Sequence, residues 1–322
     1  MAMNALRSNR REWLAGSAAA ACALAAGQAA RPALASERKE PFLYCLNTST
    51  IRGQELGIER EIEIAASAGY DAIEPWLDSL HRYVDRGGSL KELGKRIADA
   101  GLKVESAIGF AQWLVDDEEA RRKGLEQARR DMDAVLQIGG RRIAAPPAGV
   151  QNQPPLELAV VVQRYRALLE VGERMMVAPQ CEVWGFSPTL GKLSEAMYVA
   201  IESDHPLACV LTDVYHLYKG GSGTHGLRLT GPQCMHVIHF NDYPAEPGRA
   251  AINDSHRIYP GDGVAPLIEI LRDLNAVGFR GALSLELFNR ELWKQDPVEV
   301  ARTGLLKMRA LVEKSSKAAS PS

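Results

Sequence analysis

Four side chains able to hold a metal ion stand near the ends of consecutive apolar runs. They are Glu182, just before Val183-Trp184-Gly185; Asp213, closing Ala208–Asp213; His239, in Ile238-His239-Phe240-Asn241-Asp242; and Glu286, in Leu283-Ser284-Leu285-Glu286-Leu287. An ionised carboxylate in such a run is expensive to bury without compensating charge, and three gathered together repel one another. A divalent cation removes both penalties. Three carboxylates and one imidazole make a mixed, fairly hard donor set that suits Mn2+, with Mg2+, Co2+ and Zn2+ as the other candidates. Taken singly, each residue also fits an ordinary capping or salt-bridged role; the shared placement is what points to metal.

That placement requires elements that bring four run ends to one point. From residue 41 onward, short apolar runs alternate with longer amphipathic segments, which predicts eight strand–helix units. The predicted strands are Phe42–Asn47, Ala72–Trp76, Lys103–Ile108, Arg142–Pro146, Met175–Trp184, Ala208–Asp213, Met235–Asn241 and Ala282–Leu287. Helices are predicted over Gly57–Ala68, Ser89–Ala100, Asp117–Gln137, Leu156–Val171, Val264–Val277 and Val298–Val312. One more is expected over Pro188–Ile201, capped by Ser187 with proline in its first turn. Gly69, Gly101, Gly139 and Gly278 suit left-handed helix stops. After the sixth strand the segment is short and glycine-rich and predicts its helix only weakly.

Eight such units in one domain over residues 41–313 predict an α/β fold, a closed (β/α)8 TIM barrel, with a doubly wound open sheet as the alternative. In the barrel, the C-terminal strand ends converge on one mouth, and the four candidate ligands fall on the fifth to eighth strands.

The first residues read as a targeting signal rather than as part of the fold. Arg7, Arg10 and Arg11 precede an Ala-rich apolar run ending at Ala33-Leu34-Ala35, which predicts a signal peptide over residues 1–35. Asn9-Arg10-Arg11-Glu12-Trp13-Leu14 resembles the twin-arginine export pattern, so the mature chain is expected in the periplasm with no membrane span. A formal charge of -2 and a pI near 6.4 give no broad basic field for a phosphate backbone, and nucleic acid is not expected as a partner. Cys45, Cys181, Cys209 and Cys234 lie in or beside apolar runs and are expected as buried free thiols. The polar residues 314–322 are expected to form a tail.

Taken together, these features resemble the xylose isomerase-like TIM barrels, the superfamily of sugar-phosphate isomerases and epimerases that also holds abasic-site endonucleases. Leu211-Thr212-Asp213-Val214-Tyr215-His216 looks like the family's aspartate, two spacers, histidine signature. Gly69-Tyr70-Asp71-Ala72-Ile73-Glu74 resembles its second-strand motif, and Arg257-Ile258-Tyr259-Pro260-Gly261-Asp262-Gly263 resembles its arginine before a Pro-Gly-x-Gly turn. The resemblance implies that Glu182, Asp213, His239 and Glu286 hold one divalent metal, with Glu182 and Glu286 also acting as an acid/base pair. It further implies that His216 and Arg257 bind substrate. Glu74, in the second-strand motif, is a further substrate-binding candidate with a strand-end cap as its alternative, and Trp113, Trp76 and Trp184, near predicted strand ends, are candidates for stacking on a sugar ring, with apolar packing as the alternative.

The implied reaction is isomerisation or epimerisation of a small carbohydrate, a sugar or keto-sugar, through a metal-stabilised enediolate. A related alternative expels a leaving group from a keto-sugar, keto-glycoside or inosose, as a dehydratase or lyase does. A non-catalytic sugar binder and an abasic-site endonuclease are the remaining readings. Asp254-Ser255-His256 resembles the endonucleases' extra zinc element, which with His216 gives a candidate second metal site. Against it, the second and third strands end in Glu74-Pro75-Trp76 and Ala107-Ile108-Gly109-Phe110, without the histidines those nucleases carry.

Overall fold

Parallel strands buried on both faces account for the architecture: helices cover their outer faces and side chains fill the space they enclose. The computed structural model describes residues 41–317; the predicted signal peptide and the last five residues lie outside them. The strands are β1 (Leu43–Asn47), β2 (Ala72–Glu74), β3 (Lys103–Val104), β4 (Arg142–Ala145), β5 (Ala178–Glu182), β6 (Val210–Asp213), β7 (Met235–His239) and β8 (Ala282–Leu285). The helices are α1 (Ile58–Ala68), α2 (Leu77–Asp85), α3 (Leu90–Asp99), α4 (Glu118–Gln137), α5 (Leu158–Met175), α6 (Leu193–Glu202), α7 (Val214–Gly220), α8 (Leu267–Ala276) and α9 (Pro297–Lys317). All pairings are parallel, in the order β3-β2-β1-β8-β7-β6-β5-β4. The seam between β3 and β4 is bridged by one backbone bond, Ala144 N–H to Ala107 O at 2.9 Å, which closes the predicted (β/α)8 barrel.

The two-residue period of a strand then sorts the barrel interior into layers. Leu43, Cys45, Ala72, Leu211, Val237 and Ala282 belong to one buried apolar cluster. Stepping two residues on along the same strands gives Asn47, Glu74, Asp213, His239 and Ser284, all fully buried. Polar side chains thus collect at the C-terminal end of an apolar plug. Cys45, Cys181 and Cys209 are buried and all four described cysteines are free thiols, packed as small hydrophobes.

The expected glycine stops are present, with φ between 77° and 92° at Gly69, Gly101, Gly139 and Gly278. Several boundaries differ from expectation. The run Met175–Trp184 is divided because α5 continues through Met175 and Met176 caps it at φ 57°. The helix expected from Pro188 begins only at Leu193: Ser187 Oγ donates to Thr189 O and Leu190 adopts φ 58°, which no helix accommodates. Helix α2 follows Trp76 without a loop, with its Leu77 and Leu80 buried, and was not predicted. The glycine-rich segment after β6 does form a helix. Residues 314–317, expected in the tail, continue α9, where Ser315 is buried and its hydroxyl bonds to Val312 O.

Two glycines seat the loop after β5 on α7. A Cβ at Gly185 would lie 2.2 Å from His216 O, and one at Gly220 would lie 1.9 Å from Gly191 O. Because these neighbours are backbone atoms, neither contact can relax by a rotamer change. Gly185→Ala should therefore lower unfolding stability by about 1–3 kcal/mol, read from the urea midpoint; an unchanged midpoint would show that the loop is not packed this way.

Candidate metal centre and its cavity

Strand register delivers the site. Asp213 ends β6 and is the N-cap of α7: its Oδ1 accepts from His216 N–H at 2.9 Å, leaving Oδ2 for the barrel axis. The aspartate, two spacers, histidine spacing is therefore a helix cap that also sets His216 beside the carboxylate. His239 ends β7, Glu182 ends β5, and Glu286 directly follows β8.

Around His239 these groups converge. Its Nδ1 lies 3.1 Å from Glu286 Oε2, 3.6 Å from Asp213 Oδ2 and 4.0 Å from Glu182 Oε1. Asp213, His239 and Glu286 form the one described group whose ligand atoms all lie close enough to share an ion, within 4.8 Å of one another. On the other side of the ring, Nε2 lies 3.1 Å from Glu74 Oε2. A carboxylate accepts, so Nε2 carries a hydrogen; Nδ1 faces the three acids and has no hydrogen-bond partner despite complete burial. A ligand nitrogen held by a carboxylate behind it is the usual support for a metal-binding histidine.

The titration behaviour also fits a cation. Burial pushes the Glu182 carboxyl up to about 8, with His239 opposing and the Glu286 and Asp213 charges adding to the rise. Burial alone would depress His239, but Glu286 and Glu74 outweigh it and raise its pKa. Both shifts retain protons against crowded negative charge, the role a divalent ion fills without them.

Arg257 crosses the same group of acids. Its NH1 lies 2.7 Å from both Asp213 Oδ2 and Glu286 Oε2, and its NH2 donates to Asp254 Oδ1 at 2.5 Å and to His216 Nε2 at 3.1 Å. Burial opposes its charge, yet Asp213, Asp254 and Glu286 raise its pKa further. Burial lowers the His216 pKa to about 4, so the ring is neutral. Gly185 N–H also points at its Nδ1, at 3.3 Å. A neutral imidazole carries one hydrogen and cannot accept on both nitrogens, so one of these contacts is open to exchange for a ligand hydroxyl.

Above the acids lies a cavity of about 240 Å³. Glu182, Glu286, His216, Arg257 and Asp254 form its polar part; Trp76, Phe110, Trp184, Phe186 and Phe288 form its wall. Neighbouring ring centroids run Phe288–Trp76 5.8 Å, Trp76–Phe110 5.1 Å, Phe110–Trp184 6.1 Å, Trp184–Phe186 5.2 Å and Phe186–His216 5.5 Å.

Two residues expected to touch substrate do not line this cavity. Glu74 is fully buried beneath His239, accepting from Asn47 Nδ2 at 2.9 Å and Ser284 Oγ at 2.6 Å. Burial raises its pKa, and His239 with the two hydrogen bonds brings it below the usual range. Trp113 is 1% exposed, donates its indole N–H to Pro146 O and packs on Tyr165; it belongs to the core between barrel wall and helices. The candidate second metal site is not assembled either: Arg257 holds both His216 and Asp254, while His256 Nδ1 accepts from Asn253 N–H in a local cap.

Sequence reasoning missed the residues that support the centre. Asn47 Nδ2 also reaches Glu286 Oε1 at 3.1 Å, and Asn241 Nδ2 donates to Asp213 Oδ2 at 3.0 Å. Asp242 accepts from the N–H groups of Gly261, Gly263 and Ala265, fixing the turn after Arg257. A Cβ at Gly263 would meet Tyr243 O at 2.2 Å, so that turn requires glycine. Their placement at or just past strand ends, in register with the ligands, was the available signal.

Removing the charge behind His239 should weaken metal binding without unfolding the barrel. Calorimetric titration of Glu74→Gln with Mn2+ is expected to give a Kd roughly 10–100-fold weaker than wild type; equal affinities would remove Glu74 from the support of the centre.

Among relatives, the chain is 24% identical over 263 residues to inosose isomerase of Bacillus licheniformis, covering 80% of this chain and 94% of that one. It is 26% identical over 239 residues to 3-dehydroshikimate dehydratase of Pseudomonas putida, covering 72% of this chain but only 36% of that longer protein. The fold superposes on the crystal structure of the IolI protein with a bound zinc atom at a TM-score of 0.78 and 21% identity, covering 85% of this chain and 99% of that one. The family model described as xylose isomerase-like TIM barrel matches residues 62–311, and with the closed eight-stranded barrel this places the chain in the xylose isomerase-like TIM barrel family.

Proposed function

We propose that the protein is a metal-dependent isomerase or epimerase of a sugar or keto-sugar. One observation carries the reading: the unpartnered His239 Nδ1 faces Asp213, Glu286 and Glu182 at the floor of a cavity that Glu182 and Glu286 also line. Glu182, Asp213, His239 and Glu286 would hold the ion, and Mn2+ suits three oxygen ligands and one nitrogen. When bound, a divalent cation supplies Lewis-acid polarisation of a carbonyl and its neighbouring hydroxyl.

The chain's own groups supply the rest. Glu182 ends β5 and Glu286 follows β8, three strands apart in the sheet order, and both line the cavity. One carboxylate removes the proton on the carbon next to the carbonyl; the C–H electrons form an enediolate, and the other returns a proton to the opposite face or the adjacent carbon. Arg257 stands by as a fixed positive charge for the developing oxyanion, and neutral His216 accepts from or donates to a substrate hydroxyl. The aromatic wall limits access of water to the carbanion. We further propose that residues 1–35 direct export by the twin-arginine route and that the enzyme works in the periplasm on a small carbohydrate, a reading supported by Arg10-Arg11 and the apolar run behind them.

Elimination from the same enediolate is the second reading, favoured by the similarity to a dehydratase. It predicts a product lighter by one water, whereas isomerisation conserves mass. Both begin with proton abstraction, so exchange in deuterated water tests their shared step. With Mn2+ and a panel of keto-sugars, wild type should wash deuterium into one carbon-bound position. Glu182→Gln and Glu286→Gln should each slow this by about 10²–10⁴-fold while remaining folded, and full exchange in both variants would refute the acid/base assignment.

A further inference from the structure

We infer that the protein binds a further divalent metal ion outside the barrel, zinc by the chemistry of its donors, where His81 of α2 and Asp131 of α4 meet in the groove between those helices. The site does not depend on the reaction at the mouth.

Asp131 stands where a charge is costly. It lies on the buried face of α4 beside Ala128, Met132 and Val135, and its side chain is 1% exposed. Its Oδ2 accepts only a long bond from Gln127 Nε2, at 3.5 Å, and its Oδ1 has no hydrogen-bond partner. Burial raises the pKa of this carboxyl against His81, Gln127 and Arg130, which lower it. Protein groups therefore leave the charge under-compensated, and a buried charge in that position is relieved by a bound cation.

His81 supplies the second donor. Its Nε2 lies 3.2 Å from Asp131 Oδ1, close enough for a hydrogen bond, yet the ring N–H direction misses the oxygen and none forms. A nitrogen and an oxygen this close, but not aimed at each other, both face a third point. Bonds of about 2.0–2.2 Å at a tetrahedral angle hold two zinc ligands roughly 3.3 Å apart, close to the spacing found. Zn2+ takes imidazole and carboxylate together, whereas Mg2+ and Ca2+ favour oxygen alone.

The groove gives the ion access. Its volume is about 650 Å³, and Asp85 also lines it. Asp85 is exposed and follows His81 by one turn of α2, on the same face; with water it completes a site in which two protein donors already converge. Two arginines border the groove, but Arg129 is drawn to Glu126 at 3.7 Å and Arg130 is exposed, so neither takes the Asp131 carboxylate. The ion clips α2 to α4 behind the aromatic collar that walls the cavity. Helix α2 starts directly after Trp76, and a Cβ at Gly109, the residue before Phe110, would lie 3.7 Å from Asp131 Oδ2.

The test is equilibrium dialysis of the protein against Zn2+ followed by metal analysis, with long-range 1H–15N spectra of the histidine rings. Wild type should retain one more ion per chain than His81→Ala or Asp131→Asn, and Zn2+ should move the His81 Nε2 resonance. Zn2+ should also raise the urea midpoint of wild type more than that of either variant, because an ion bound to the folded chain stabilises it. His81→Ala alters an exposed position and Asp131→Asn keeps the side-chain shape; if one variant does not fold, the other decides. Equal zinc content in wild type and a folded variant, or a His81 ring unmoved by Zn2+, would overturn the inference. Neither variant removes a mouth ligand, so that result would leave the isomerase reading standing.

Discussion

The crowding of negative charge around one imidazole nitrogen is the constraint on which the rest of this structure depends. Asp213, Glu286 and Glu182 are at most 5% exposed and surround His239 Nδ1, with Glu74 behind the ring. Leaving one member of a buried ionic group unpaired costs on the order of 3–5 kcal/mol. The chain spends much of its polar inventory on avoiding that: Arg257 bridges two acids, while Asn47 and Asn241 each donate to two of the site's groups. A cation meets the same demand and adds chemistry. Apolar residues at these positions would avoid the cost but could not hold an ion.

The fold meets this constraint with ordinary devices. Alternation along a strand puts polar groups one step above an apolar plug, and a helix cap gives Asp213 two jobs, one oxygen on the α7 amides and the other on the centre. Arg257 comes from an irregular loop, so its precision has a different source: Asp242 gathers three backbone N–H groups of the following turn, and Asp242 pairs with Ile258 through two backbone bonds. The guanidinium then lies over Tyr215 and Phe288 at 4.6 and 5.0 Å. The aromatic collar is thereby tied to the charged floor through one side chain.

The eight units and the strand-end positions of Glu182, Asp213, His239 and Glu286 were legible in the sequence because they depend on period and register, which apolar patterning expresses. Other features depended on facts no single segment carries. Glu74 read as a mouth residue, yet it faces inward beneath His239, because its strand stops short and Trp76 takes the rim. Trp113 lies beyond the end of β3, but the chain there turns under Pro146 and buries the indole. Asp254 and His256 have the spacing of a metal element; Arg257 and the Asn253 cap use their hydrogen-bonding capacity instead. The Pro188 helix failed because a side-chain turn and a left-handed Leu190 outweighed proline's preference for a first helical turn. The collar was legible only in part: Trp76 and Trp184 stood at predicted strand ends as stacking candidates, whereas Phe110, Phe186 and Phe288 come from separate loops and join them only after closure.

Electron–nuclear double resonance on Mn2+-loaded protein carrying 15N-labelled histidine tests the central claim most directly. Convergence of these side chains on one ion predicts hyperfine coupling to a single imidazole nitrogen, absent in His239→Gln and retained in His216→Gln. A bound ion with no histidine coupling, or one whose coupling survives His239→Gln, would contradict the account.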